Sequence, residues 1–358
     1  SDLAKTFFAL HCQKIVYLPT SRICVSNNWV DAQLSRLRRF CAPLFAILDV
    51  PFIIRTSIKY GTDVFWIDRV LERAFYVLYL LRKFKPSAVI VGDTEAVQSR
   101  FILRELPMIE STLRRCYVSL RGHLAERHEK SLTSLATYVT AVSFHDANYF
   151  RSLCCGDDIS KVVLFSNSVD LQDYQISNED KIFLKKPSLL LMGSFGSVHS
   201  PMDRAAKWLA SEIMPLVWEK VPAAHLYVVG KNSDITQSGI ISDRISVLGS
   251  VDSMLPYMEG ADICVVPLGH ESGTRFKIIQ AGAAAMPCVS TTLGAEGLDL
   301  CHQENIIIAD TAITFANSIV DLISNSDKAN KLGSELNKKI AAEYGLDVQK
   351  REALNILY

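Results

Sequence analysis

Residues 261–298 read ADICVVPLGHESGTRFKIIQAGAAAMPCVSTTLGAEGL, and the order of residue types along them decides the fold. Ile263–Val266 is a short, mostly β-branched run closed by Pro267. A loop over Leu268–Thr274 follows, then a helical stretch Arg275–Ala285, a second short run Cys288–Ser290, and the turn Gly294-Ala295-Glu296-Gly297. Strand, loop, helix and strand in that order make a parallel α/β unit. On such sheets, ligands lie beyond the carboxyl ends of the strands, where loops meet helix N-termini. Gly273 permits close backbone approach there, and Thr274 suits an N-cap. A first helical turn presents unpaired N–H groups and about half a positive charge; Arg275 and Lys277 add two full charges. Cations in that turn oppose the helix dipole and cost stability unless an anion sits among them. The pattern therefore predicts a phosphate site; a surface helix with two solvated cations is the plainer alternative.

The same alternation extends outward. In the C-terminal half, strands are expected at Leu189–Met192, His225–Val229, Ile245–Leu248, Ile263–Val266, Cys288–Ser290 and Asn305–Ile308, with helices at Met202–Lys220 and Arg275–Ala285. In the N-terminal half, they are expected at Lys14–Leu18, Ala88–Val91, Tyr117–Leu120, Tyr138–Val142 and Val162–Phe165, with helices at Val30–Leu48, Asp68–Lys85 and Glu95–Leu106. Residues 51–66 carry no clear period. Asp170–Pro187 is polar and aperiodic, and Pro187 disfavours helix at Lys186. Two tandem Rossmann-like domains follow: 1–172, a linker 173–187, and 188–343, with 344–358 as a terminal helix. No short repeat points to a solenoid.

Composition narrows the class. At 358 residues with 49% hydrophobic and 21% charged residues, the chain is soluble globular material of two-domain size. No apolar run reaches the roughly 20 residues that span a bilayer. It opens on Ser1-Asp2 without Met, which reads as a trimmed start with any targeting segment removed. Nine cysteines, with no Cys-x-x-Cys pair and Cys154 beside Cys155, suit reduced thiols in a cytoplasmic protein. Net charge is zero, but residues 1–172 hold 22 Lys and Arg against 16 Asp and Glu, a net +6, and the rest mirror it at −6. That bias is too weak for a nucleic-acid binder.

The run Ser272-Gly273-Thr274-Arg275-Phe276-Lys277-Ile278-Ile279-Gln280-Ala281, followed by Pro287-Cys288-Val289-Ser290-Thr291 and Gly294-Ala295-Glu296-Gly297-Leu298, resembles the donor-site signature of family 4 glycosyltransferases. Met192-Gly193-Ser194-Phe195, Pro201, Trp208, Pro215, Pro222 and Val228-Val229-Gly230 keep the same spacing, so the resemblance covers most of 189–325. Residues 1–172 are similar only loosely, at Val142-Ser143 and Asn167-Ser168-Val169-Asp170. The resemblance implies an α/β, GT-B fold, two Rossmann-like domains with parallel sheets facing across a cleft. It also implies metal-independent, anomer-retaining transfer without a cofactor, from a UDP- or GDP-sugar to a glycan or lipid-linked acceptor. On that reading Arg275 and Lys277 hold the diphosphate and stabilise the departing nucleotide. Gly249-Ser250-Val251 meets the base through backbone groups, and Gly193 and Ser194 belong to the donor loop with Ser272, Gly273, Thr274 and Glu296.

Some positions depart from the family pattern. Gln280 stands where the family has a ribose-binding Glu, and an amide gives a weaker bond to a hydroxyl than a carboxylate does. Ser272 stands where the partner Glu of the Glu-x7-Glu pair would be, with Glu271 one residue short. A basic pair common after the first donor-domain strand is replaced in the region of Ser194 and His199. Pro19-Thr20-Ser21 stands in place of the acceptor loop's Gly-Gly. His123, in Arg121-Gly122-His123, is the nearest match to an N-terminal catalytic histidine, ahead of His128 and His145; a packing or surface histidine is the alternative. A catalytically silent GT-B module that positions acceptors is a second reading, and a nucleotide-sugar epimerase using Glu271 and Glu296 a third. Trp29, Leu34, Leu37 and Phe40 beside Arg36, Arg38 and Arg39 suit either a core helix or peripheral contact with a membrane's inner face.

Overall fold

The computed structural model describes residues 42–61, 64–68, 73–154, 156, 158–174, 182–196, 200–269 and 276–357. The expected strand Lys14–Leu18, the Trp29–Phe40 face, the first part of the Val30–Leu48 helix, and Glu271, Ser272, Gly273, Thr274 and Arg275 lie outside them. The described chain runs α1 (Ala42–Tyr60), β1 (Val64–Ile67), α2 (Arg73–Phe84), β2 (Val89–Gly92), α3 (Gln98–Leu103), α4 (Thr112–Leu135), β3 (Tyr138–Ala141), α5 (Phe144–Leu153) and β4 (Val162–Leu164). It continues β5 (Ser188–Met192), α6 (Pro201–Trp208), α7 (Met214–Lys220), β6 (His225–Val229), α8 (Ser233–Thr236), β7 (Ile245–Gly249), α9 (Leu255–Gly260) and β8 (Ile263–Val266). Last come α10 (Phe276–Ala283), β9 (Cys288–Ser290), β10 (Ile307–Ile308), α11 (Ala312–Ser324), α12 (Ser326–Tyr344) and α13 (Leu346–Leu357).

Two sheets result, of four strands in the order β1-β2-β3-β4 and of six in the order β10-β9-β8-β5-β6-β7. By contacts the chain divides into two compact units: 1–94 with 128–140 and 153–162, and 95–127 with 141–152 and 163–358.

In the larger unit, β5 lies at the centre of the six-stranded sheet, parallel to β6 and β8. Leu189, Leu190 and Leu191 are all fully buried, as is every residue from Ile263 to Val266. Strands covered by helices on both faces need apolar side chains at every position, and that explains these unbroken runs. The helical stretch expected over Met202–Lys220 is divided. Ser200 caps α6 by accepting from the Asp203 N–H, Leu209–Ile213 forms a π-helical turn, and α7 resumes with Pro215 in its first turn. Pro215 has no N–H and its ring crowds the preceding turn, and a local widening of the helix relieves both. Cys264 and Cys288 pair in register between β8 and β9, both buried and reduced. The Cys264 hydrogen bond and burial push the Cys288 thiol well up.

In the smaller unit, β1 and β2 are parallel, as are β2 and β3. The structure corrects one expectation of the first half and fills in a stretch the sequence left open. Tyr117–Leu120 is not a strand but part of α4, because four β-prone residues cannot outweigh the helical spacing of the residues around them. The aperiodic stretch 51–66 holds the end of α1, with Pro51 inside it, and all but the last residue of β1.

His128 stacks on Phe75 with ring centroids 4.3 Å apart, and burial lowers its pKa. A histidine with a depressed folded pKa is protonated more readily when unfolded. Its stabilising share is therefore complete above the unfolded value of about 6.5 and is lost as pH falls through the folded value. The urea midpoint is expected to drop as pH falls below about 6.5, and His128→Phe, which keeps the stack, should drop by less. An unchanged pH slope in that variant would remove His128 from the account.

Candidate functional site

The larger unit places three glycines at neighbouring strand ends: Gly193 after β5, Gly230 after β6, and Gly249 closing β7. Gly193 donates to the Val229 carbonyl at 3.1 Å, and Gly230 donates to the Gly249 carbonyl at 2.8 Å. Gly230 has φ 137°, and a Cβ there would overlap the Gly193 carbonyl oxygen. Only glycine fits, because the obstacle is backbone. Gly249, at φ 72°, donates its N–H to the Ser233 hydroxyl oxygen at 3.0 Å. The neighbouring Ser194 and Ser250 are exposed and Val251 is half-buried.

Lys277 lies in the first turn of α10. Its Cε sits 3.5 Å from where a Gly193 Cβ would be, so the lysine stem runs over the β5 turn. A lysine ammonium and the α10 N-terminus thus share the carboxyl edge of β8 and β5, two sources of positive potential at one place. On α6, the fully buried Asp203 carboxylate takes the Gln237 amide at 2.8 Å and the Lys207 ammonium at 2.9 Å.

The turn after β9 closes the other side. Thr291 donates its hydroxyl to the Leu268 carbonyl at 2.6 Å and accepts the Gly294 N–H at 2.8 Å. Thr292 bonds Asp310 through both its N–H and its hydroxyl, each at 2.7 Å. A Cβ on Gly294 would strike the Ser290 hydroxyl and the Val266 carbonyl. The turn is therefore pressed onto the ends of β8 and β9. Its Glu296 takes a bidentate pair of bonds from Arg104 at 2.6 and 2.8 Å, with His145 Nε2 at 3.6 Å. Beside His145, Asp146 is 3% exposed; burial raises its carboxyl pKa, opposed by the Ser143 hydroxyl.

The structure brings Gly193, Gly249, Lys277 and Glu296 to this edge. It sets Gln280 half-buried on α10, donating its amide to the Tyr174 hydroxyl at 3.0 Å. His123 stands exposed on α4 with Glu126 at 3.3 Å. Reading the sequence did not find Arg104 or Tyr174: they lie 192 and 106 residues from their partners, and nothing local marks them. Among the described residues, no cluster of histidine, cysteine and carboxylate side chains could hold a metal ion.

Residues 187–325 match the family model described as glycosyl transferases group 1. A curated relative, the "uncharacterized 44.6 kDa protein in cps region" of Klebsiella pneumoniae, is 25% identical over 128 residues. The match spans about a third of this chain and a third of that relative. Among solved structures, a glycosyltransferase from Rickettsia africae superposes with TM-score 0.67 at 15% identity, over 99% of this chain and 87% of its own. Anabaena HepE in complex with UDP and glucose gives 0.63 at 13%, over 86% and 80%. Sucrose-phosphate synthase from Thermosynechococcus elongatus gives 0.65 at 16%, over 88% and 78%.

Arg104 and Glu296 are each about three-quarters buried at the side chain, where a bidentate charge pair outweighs an exposed one. A double-mutant cycle with Arg104→Ala and Glu296→Gln is expected to return a coupling energy of about 1–2 kcal/mol in urea unfolding. Additive effects would show that the pair does not hold the turn.

Proposed function

We propose that this chain, a glycosyltransferase of GT-B fold carrying the group 1 segment at residues 187–325, transfers a sugar from a nucleoside diphosphate sugar to a hydroxyl of a glycan or lipid-linked glycan. The observation that carries the reading is the Lys277 stem laid across Gly193 at the first turn of α10. Backbone N–H groups and an ammonium there meet an edge where glycines let a ligand approach the main chain. Phosphate is the chemistry that such an edge favours.

In the proposed reaction the bond from the anomeric carbon to the diphosphate oxygen breaks and a bond from that carbon to the acceptor oxygen forms, with retention. The acceptor's proton leaves with the departing diphosphate. Negative charge grows on that leaving group, and Lys277, with Arg275, opposes it in place before the reaction begins. A preorganised charge of this kind is worth about 3–4 kcal/mol of barrier. Gly249, Ser250 and Val251 take the base. Ser194, Ser272, Gly273 and Thr274 border the phosphates and sugar, with Glu271 proposed at the reacting end; His123, exposed on α4 beside Glu126, is left out of the reaction. Domains at 1–172 and 188–343 joined by 173–187, with 344–358 returning to the first, form the proposed frame.

The HepE structures hold UDP and UDP-glucose, which supports a UDP-sugar here. The Klebsiella relative, named for a cps region, supports a place in surface-polysaccharide assembly, at the cytoplasmic side of a membrane. No helix among the described residues is long and apolar enough to cross one.

A second reading, a silent module that positions acceptors, is favoured by one contact. The Gln280 amide, at the position where the resembled family has a carboxylate, is already bonded to Tyr174.

Isothermal titration with UDP, GDP and ADP is expected to show one of the three binding, with Lys277→Ala weakening it about tenfold or more. Transfer or hydrolysis of the matching sugar nucleotide should fall about a hundredfold or more in the same variant. Binding without turnover would favour the silent module, and no binding at millimolar nucleotide would remove the donor site.

A further inference from the structure

Helix α4 carries apolar residues on two opposite faces. One is packed: Val118 is buried with Ile102 and Ile109, Ala125 lies against them, and a Cβ on Gly122 would meet the Leu103 side chain. The other is bare. Leu113, Tyr117, Leu120 and Leu124 follow one another at steps of four, three and four residues and are 85%, 57%, 70% and 49% exposed. At about 100° per residue the four fall within roughly 60° of one another, across the helix from Val118 and Gly122. Single exposed leucines are ordinary on a surface, but a continuous stripe marks a site of contact.

The flanks say what kind of contact. By the same rotation Arg114 and Arg121 border the stripe on one side, Arg127 and His123 on the other. Between residues 112 and 127 the acid is Glu126, against Arg114, Arg115, Arg121 and Arg127. The Arg121 guanidinium lies 5.8 Å over the Tyr117 ring, and Arg114 reaches Glu105 at 2.8 Å. Guanidinium groups pair with phosphate oxygens two bonds at a time, and tyrosine favours the level where acyl chains meet headgroups. A protein partner is less suited. Four side chains offer a few hundred Å² at most, well below the roughly 800 Å² that each side of a stable complex buries.

We propose that this face of α4 docks on an anionic lipid bilayer. The helix lies in the plane of the interface, with Leu113, Tyr117, Leu120 and Leu124 entering the acyl boundary and the bordering arginines on lipid phosphates. Among the described residues no helix is long and apolar enough to cross a membrane. This inference stands apart from the donor site and requires nothing of it.

Flotation of the full chain with vesicles tests it, using equimolar phosphatidylglycerol and phosphatidylcholine against phosphatidylcholine alone. Flotation with the anionic vesicles is expected, weakening as salt rises. Leu113→Glu with Leu120→Glu should cut the bound fraction at least about tenfold, and Arg121→Gln with Arg127→Gln should remove the preference for anionic lipid. Of the four substituted side chains Leu113, Leu120 and Arg127 are exposed and Arg121 is half-buried, and circular dichroism and the melting temperature verify that each variant folds. The proposal is overturned by a wild type that stays with the soluble fraction, by equal flotation on neutral vesicles, or by a double-leucine variant that floats unchanged. It is also overturned by a concentration-dependent dimer that the leucine changes abolish while no vesicle binding is seen.

Discussion

The Gly193 carbonyl oxygen occupies the place a Gly230 Cβ would take, and the carboxyl edge of the six-stranded sheet depends on this meeting of two pieces of main chain. Two loops that leave neighbouring parallel strands are separated by little more than the strands themselves. With a side chain between them they would splay, and the β5 turn would lift away from β6. Because there is none, the β5 turn stays low and the Lys277 stem can cross it. The cation that gives the edge its chemistry is thus placed by the absence of a side chain one strand away. Gly249 repeats the device at β7, where the Ser233 hydroxyl holds the next loop in.

On the other side of α10 the constraint is electrostatic. The turn after β9 is tied by Thr291 to Leu268 and by Thr292 to Asp310, so its position is settled before any charge is considered. Glu296 then projects a further carboxylate from the turn that borders this edge. Unpaired, it would repel an anion brought to Lys277. The Arg104 fork takes both its oxygens, which neutralises that carboxylate in place. A largely buried pair costs desolvation on both sides, and the two parallel bonds offset much of that cost.

How far the molecule was legible in its sequence differs between its halves for a physical reason. β6, β8 and β9 lie where the residue pattern puts them, because strands buried on both faces announce themselves as unbroken apolar runs bounded by Gly and Pro. In the first half, β1 has a residue that is exposed and three that are half-buried, and it carries no such signal. Tyr117-Val118-Ser119-Leu120 imitates one while sitting in a helix that divides its apolar residues between two faces. Of the site, Lys277 and the glycines could be found because each serves a local need: a helix start or a strand end. Arg104 and Tyr174 serve a need that arises only when distant segments meet, and no pattern of neighbours records it.

Helix α4 shows the same limit from another direction. Amphipathic periodicity reports that a helix has an apolar side, not what lies against it. Here the inward face is made by small and β-branched residues, Gly122, Ala125 and Val118, and the larger residues, Leu113, Tyr117, Leu120 and Leu124, point away. Judged by size alone, the larger set would be taken for the core. Burial reverses that assignment. The bare stripe is therefore not a defect of packing, since the helix is already seated by its other side. Its leucines gain nothing for the fold where they stand, and their free energy of transfer from water, roughly 1.5–3 kcal/mol for each side chain fully buried, is left for whatever surface the helix meets.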